Sequence, residues 1–224
     1  MNKLTQFLDK IKAGEVPEES PIELMNPDLC EEPIIPLHDS FSVRGECNKR
    51  GMWAIVDLKW TKNLANWIGD RKCLEVMAGA GWLSKALSHH GIDVIATDDY
   101  SWDKQHSEME IVYPVEKMSG VEAVKKYVDR DILIVSWPPY ESTEICDICN
   151  EWGKNKPIVY IGEGIEGCNA PNCFWAKFNE TDDPTIMIPR WWGIHDELKI
   201  GKWNREELME DVYKTEEYLF EEGK

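Results

Sequence analysis

The sequence predicts an α/β fold, a doubly wound and mostly parallel sheet covered by helices on both faces, with an N-terminal helical arm. Three observations predict it. Short apolar runs alternate with helix-length amphipathic segments through the middle of the chain. The segment Cys73-Leu-Glu-Val-Met-Ala-Gly-Ala-Gly-Trp82 puts a buried strand, a glycine turn and a helix start in direct succession. Asp98-Asp99 then closes the next apolar run, near the roughly 20-residue spacing of a strand-end acid that binds ribose hydroxyls.

The elements follow in order. Leu4, Phe7, Leu8 and Ile11 form one stripe of an opening helix that Gly14 ends. Residues 15–36 are acidic and proline-rich and read as an extended linker, with Ile34-Ile35 available to tack it down. Residues 61–69 read as a short capped helix. Leu74, Val76 and Ala78 form a strand, and Gly79 and Gly81 let the backbone turn and approach a ligand. Residues 82–90 are helical, with Leu83, Ala86, Leu87 and His90 on one face and Gly91 as terminator. Strands follow at 92–97 and 111–115, a helix at 121–128 and a strand at 132–135. Trp137-Pro138-Pro139-Tyr140 is a rigid tip, since each proline fixes φ and lacks an N–H; its carbonyls are left to accept from a ligand. A helix at 142–152, a strand at 157–161, late strands at 185–188 and 198–203, and an acidic tail at 205–222 complete the chain. The expected division is an arm and linker at 1–48, a ligand-binding domain at 49–204 and the tail at 205–224.

The glycine turn discriminates between cofactors. A dinucleotide would set its pyrophosphate over Gly79–Gly81, at the helix N-terminus. Glu75 would repel it, and neither lysine nor arginine lies in the turn. A sulfonium carrying an α-amino group reverses the sign, so that Glu75 becomes favourable.

Glu75-Val-Met-Ala-Gly-Ala-Gly81 resembles the first motif of class I S-adenosylmethionine-dependent methyltransferases, which are Rossmann-like, with Met77 where many of them have another glycine. Asp98 matches their ribose-binding acid. Trp137-Pro-Pro-Tyr140 is similar to the fourth motif of amino-group methyltransferases, in which Asp, Asn or Ser precedes Pro-Pro and an aromatic; Trp137 replaces that polar acceptor, and Ser136 falls one residue early. The resemblance extends over about residues 50–200 through Arg50-Gly-Met-Trp53, Ile161-Gly-Glu-Gly164 and Trp192-Gly-Ile-His-Asp196. It implies S-adenosylmethionine as cofactor and an antiparallel seventh strand among the late ones. It implies Glu75, Ala78, Gly79, Gly81, Asp98 and Ser136 on the cofactor side. Trp137, Pro138, Tyr140, Glu163 and His195 stand as catalytic candidates, with Glu163 and His195 as possible bases.

Composition narrows the acceptor. The chain of 224 residues carries a net charge of −17, and no basic face is evident, so a nucleic-acid substrate is disfavoured. A small molecule or a protein segment fits better. The chain has neither an apolar run of transmembrane length nor a signal-peptide core. Its seven cysteines are an odd number, and reduced thiols in a cytoplasmic protein are expected. Cys146 and Cys149, with Cys168 and Cys173, admit a zinc site or, as preferred here, buried and incidental thiols without metal. The expected function is an S-adenosylmethionine-dependent methyltransferase. The alternatives are a non-catalytic cofactor-binding module on the same fold and a nucleic-acid amino-group methyltransferase.

Overall fold

The computed structural model describes residues 3–21, 37–101, 109–181 and 186–204. The elements are α1 (Lys3–Lys12), α2 (Leu37–Asn48), α3 (Leu58–Ile68), β1 (Cys73–Val76), α4 (Trp82–His89), β2 (Val94–Asp98) and β3 (Val115–Lys117). Then come α5 (Gly120–Lys126), β4 (Ile132–Ser136), α6 (Glu144–Trp152), β5 (Pro157–Gly162), α7 (Asn172–Trp175), β6 (Phe178–Glu180) and β7 (Glu197–Trp203). One sheet has the order β3-β2-β1-β4-β5-β7-β6. The first five strands are parallel neighbours. β7 runs antiparallel to both β5 and β6, so it is the single reversed strand and β6 points the same way as β5.

Period-two alternation builds the layers. Cys73, Ile132, Ile134, Val159 and Ile161 enter one core with α1, α3 and α4, whereas Leu74, Val76, Leu133, Val135, Ile158 and Tyr160 enter the other with α5, α6 and α7. Strands buried on both faces read as continuous apolar runs, which is why β1, β4 and β5 are visible in the sequence. The chain winds outward from β1 through β2 and β3, then returns to place β4 on β1's other side. That reversal opens a crevice at the carboxyl ends of β1 and β4.

The N-terminal segment belongs to the first core. Phe7 and Ile11 of α1 are buried, as the stripe predicts, and Leu4 and Leu8 pack beside them. The start of the expected linker is docked as well: Val16 is buried, and the carbonyls of Pro17 and Glu18 accept from Leu58 N and Lys59 N at 2.9 and 3.0 Å. Ser20 donates through N and Oγ to Asp57 Oδ2, at 3.0 and 2.6 Å. The remainder of that stretch, with Ile34-Ile35, lies outside the described residues. Asp57 also caps α3, accepting from Trp60 N at 3.0 Å, so the helix begins at Leu58, ahead of the expected 61.

Several expectations are corrected. α2 was not foreseen, because its apolar residues are split between faces: Val43 and Cys47 are buried while Phe41 is 49% exposed. β3 begins at Val115; residues 111–113 instead cross the glycine turn, with Val112 N donating to Ala80 O at 2.9 Å. The first late strand is β6, at Phe178–Glu180. Ile186 and Ile188 are buried without strand pairing, and Thr185 and the acidic tail lie outside the described residues. Cys146 and Cys173 form a disulfide between α6 and α7, which corrects both the uniformly reduced thiols and the four-sulfur zinc alternative. Their 27-residue separation hid the contact. Among the described residues, no helix is long and apolar enough to cross a membrane.

Asp57→Ala removes a helix cap and the anchor of Ser20 together. It is expected to lower unfolding free energy by about 2 kcal/mol, measured by urea denaturation; a loss below about 0.5 kcal/mol would show that the docking of residues 15–20 is incidental.

Candidate functional site

The site begins where β1 stops. Met77, Gly79 and Gly81 all have left-handed backbone, with φ of 54°, 55° and 83°. A side chain at Gly79 would find nothing closer than Gly51 O at 3.9 Å, so the glycine answers to its φ and leaves open space above the turn. A Cβ at Gly81 would meet Tyr113 Cβ at 2.9 Å and Val115 Cγ2 at 3.0 Å. Gly81 therefore serves the seam with residues 113–115 and the start of α4, not the cleft.

Two carboxylates hold this turn. Asp98 Oδ2 accepts from Gly79 N at 2.8 Å and Asp98 Oδ1 from Tyr100 N at 2.7 Å. Glu75 Oε2 accepts from Ser84 N at 3.0 Å and from Ser84 Oγ, tying β1 to the first turn of α4. Burial pushes the Glu75 carboxyl up to about 7, against the opposing pull of the Ser84 hydrogen bonds.

The crevice is a cavity of about 330 Å³. Of the residues expected on the cofactor side, Glu75, Ala78, Gly79, Asp98 and Ser136 line it; of the catalytic candidates, Trp137, Pro138 and Tyr140 do. Glu163 and His195 line a neighbouring groove that shares Tyr140 and Cys168 with the cleft. Gly81 lines neither. Among the described residues, four acids line the cleft, Glu75, Asp98, Asp99 and Glu144, and no lysine or arginine does. Burial, with Asp99 nearby, raises the Glu144 carboxyl as well.

Gly51, Met52 and Trp53 form the cleft's other wall. Trp82 Nε1 donates to Arg50 O and Trp191 Nε1 to Trp53 O, each at 2.7 Å, so this strap is clamped at both ends. Arg50 itself turns back to Glu46, 3.3 Å away.

Trp137 sits in left-handed backbone, φ 53°, with its N–H on Ile161 O at 2.8 Å. Its ring stacks on Trp53 at 6.0 Å, and the Arg44 guanidinium lies 5.4 Å from the ring centroid. The indole Nε1 donates to Asp196 Oδ1 at 2.9 Å. Asp196 is fully buried, and its Oδ2 has no hydrogen-bond partner. Burial pushes its carboxyl up to about 7 despite the Trp137 bond. Asp196 thus serves Trp137, far away in sequence, rather than its neighbour His195.

Asn169 escaped the sequence reading. Its Oδ1 accepts from Glu163 N at 3.0 Å and its Nδ2 donates to Pro138 O at 3.2 Å. One buried amide joins the tips of β4 and β5, and the Pro138 carbonyl is already engaged. Asp99, Glu144 and Arg44 were also missed. Only Asp99 carried a signal, as the second acid of a pair. Among the described residues, no cluster of three or more histidine, cysteine or acidic side chains is placed to hold a metal.

No protein-family model matches the chain, and no curated protein sequence matches it. Solved structures do. A mutant of MtNAS in complex with S-adenosylmethionine aligns with TM-score 0.50 at 12% identity, covering 90% of this chain and 73% of that one. Burkholderia thailandensis 1,6-didemethyltoxoflavin-N1-methyltransferase, with bound 1,6-didemethyltoxoflavin and S-adenosylhomocysteine, aligns with TM-score 0.47 at 11% identity over 77% and 92% of the two chains. Human N-acetylserotonin methyltransferase in complex with SAM gives 0.42 at 11% over 90% and 67%. The first of these similarities, with the strand order and the single reversed strand, shows a Rossmann-like fold.

Glu75 and Asp196 make stability depend on pH. Both carboxyls sit higher in the folded protein than their ordinary values of 4.5 and 3.8, at about 7 in each case. The folded state therefore binds the extra protons, and stability is greatest below about 4.5 from these groups and is lost as pH rises through about 7. Glu75→Gln and Asp196→Asn are each expected to flatten part of that slope in denaturation midpoints measured across this range; an unchanged slope in both would remove the assignment.

Proposed function

We propose that the chain is an S-adenosylmethionine-dependent methyltransferase acting on a small-molecule or protein acceptor. The observation that carries this reading is the charge of the cleft: among the described residues, Asp98, Asp99 and Glu144 line it, Glu75 lies beneath its left-handed glycine turn, and neither lysine nor arginine faces it. An anionic pyrophosphate would meet repulsion there, whereas a sulfonium with an α-ammonium group meets compensation. A cavity of about 330 Å³ is within the size range of small-ligand sites. Asp98 would hold the ribose hydroxyls, and the open space over Gly79 would admit the methionine portion. Glu75 acts at one remove, by fixing Ser84 and the start of α4.

Bound S-adenosylmethionine would supply an electrophilic methyl group for a nucleophile placed in line with it. The chain's own residues would shape and dry the approach. Trp137 and Trp53 stack into a wall, Pro138 is rigid and buried, and Tyr140, 62% exposed, offers its ring at the mouth. His195 stands in the adjoining groove as a proton acceptor, its Nδ1 3.8 Å from Glu163 Oε1.

One observation favours a second reading, a non-catalytic cofactor-binding module. Trp137 stands where amino-group methyltransferases carry a polar acceptor, and its indole N–H is already committed to Asp196. The same substitution weighs against direct methylation of a nucleobase amine. Cofactor binding without product from any acceptor would favour the module.

Calorimetric titration with S-adenosylmethionine, S-adenosylhomocysteine and NAD tests the proposal. Micromolar binding of the two sulfur compounds and none of NAD is expected; failure of both sulfur compounds would overturn it. Asp98→Ala should weaken that binding by about tenfold or more. Tyr140→Ala should leave it within about twofold and reduce turnover, and equal loss of both would move Tyr140 to the cofactor side.

A further inference from the structure

A second concavity adjoins the cleft, an open groove of about 520 Å³ over the tip of β5. Tyr140 and Cys168 line both, so the two spaces adjoin. One part of the groove is apolar and exposed: the Tyr140 ring, and Ile165 at 70% exposure. The other part carries charge. The Glu163 side chain is only 13% exposed, and three donors fix it: Cys168 N at 3.0 Å, Cys168 Sγ at 2.8 Å and His195 N at 3.1 Å. Burial alone would raise this carboxyl, but the bonds from Cys168 and His195 outweigh it and hold it below its ordinary value. Glu163 is therefore a preformed carboxylate at neutral pH. All three donors are neutral groups, so its full negative charge remains. Glu166 adds a second acid to the lining, in which no lysine or arginine stands among the described residues.

We infer that this groove is the acceptor site and selects an amine carrying a flat apolar body, an arylalkylamine in its ammonium form. The ring packs on Tyr140 and Ile165, and the ammonium pairs with Glu163. A carboxylate or phosphate acceptor would face the charges of Glu163 and Glu166. The assignment rests on the proposed cofactor only for the word acceptor; recognition of the amine stands on the groove alone. An ammonium has no free electron pair, so the amine must first lose a proton. His195 lines the same groove and takes that proton, leaving the nitrogen with its lone pair. Glu163 Oε1 lies 3.8 Å from His195 Nδ1. Glu163 is thus a binding group rather than the base, since its lowered pKa makes it a poor proton acceptor.

The test is titration of the full chain, with and without saturating S-adenosylhomocysteine, using tyramine, 4-hydroxyphenylacetate and 4-ethylphenol as cationic, anionic and neutral probes. Tyramine is expected to bind about tenfold or more tighter than 4-hydroxyphenylacetate. Glu163→Gln, which removes the charge and keeps one acceptor oxygen for the two Cys168 donors, is expected to erase the difference. Should that variant unfold, ionic strength gives an independent readout: added salt should weaken tyramine and leave 4-ethylphenol unchanged. Equal binding of the charged probes, preference for the anion, no tyramine binding at millimolar concentration, or salt-independent tyramine binding would each overturn the inference. Loss of S-adenosylhomocysteine binding with amine selectivity intact would defeat the cofactor proposal alone. Cofactor binding without amine selectivity would defeat this inference alone.

Discussion

The hydrogen bond from Gly79 N to Asp98 Oδ2, at 2.8 Å, is the constraint on which the site depends. It joins the end of β2 to the loop leaving β1, next to the backbone bond from Ala78 N to Thr97 O at 3.0 Å. A charge-assisted bond of this kind contributes on the order of 1.5–3 kcal/mol. That is comparable to the cost of holding a non-glycine residue such as Met77 in left-handed backbone. The turn keeps its shape because the acid beside it accepts the N–H that the shape leaves over. Glu75 works by the same logic one strand away, receiving the orphan donors at the start of α4.

The two acids differ in what they retain. Glu75 is sealed beneath the helix, and its charge costs enough in that setting to raise its proton affinity. Asp98 sits at the cleft wall and spends both its oxygens on backbone donors. Across the crevice the same pattern recurs in Asp196, a buried acid whose visible work is to hold an indole. Three buried carboxylates therefore set the positions of a turn, a helix and an aromatic wall. The strong net negative charge of the chain is in part a by-product of this way of building.

The sheet was legible because burial on both faces writes itself into the sequence. β1, β4 and β5 are apolar at every second position for each of two cores, and the intervening helices each bury one face. The glycine turn and Asp98 were legible for the same reason, since strand ends locate them. What stayed hidden depended on contacts between distant segments. Asn169 is an ordinary loop residue until folding sets it between Pro138 and Glu163. Asp196 follows His195 directly, and nothing in the sequence pointed to Trp137, to which the fold delivers it. β6 is three residues long, and only β7 gives it a reason to be extended. α2 lacks a single apolar stripe, because one of its faces meets the core and another meets solvent. Cys146 shares a helix face with Cys149, as spacing suggested, but its sulfur bonds Cys173 on α7, which no spacing rule reaches.

The reversed strand has a consequence for how the protein is made. β5 pairs along its whole length with β7, from Pro157 opposite Lys202 to Gly162 opposite Glu197. A nascent chain that has just released β5 from the ribosome thus carries an apolar strand with an open hydrogen-bonding edge, and it must synthesise some forty further residues before its partner exists. During that interval the edge is a template for pairing with other chains. Translation pausing or truncation soon after α7 would hence leave a molecule with its sheet unprotected and without Trp191 and Asp196 to hold the crevice walls, a species directed toward chaperones or aggregation rather than toward partial activity.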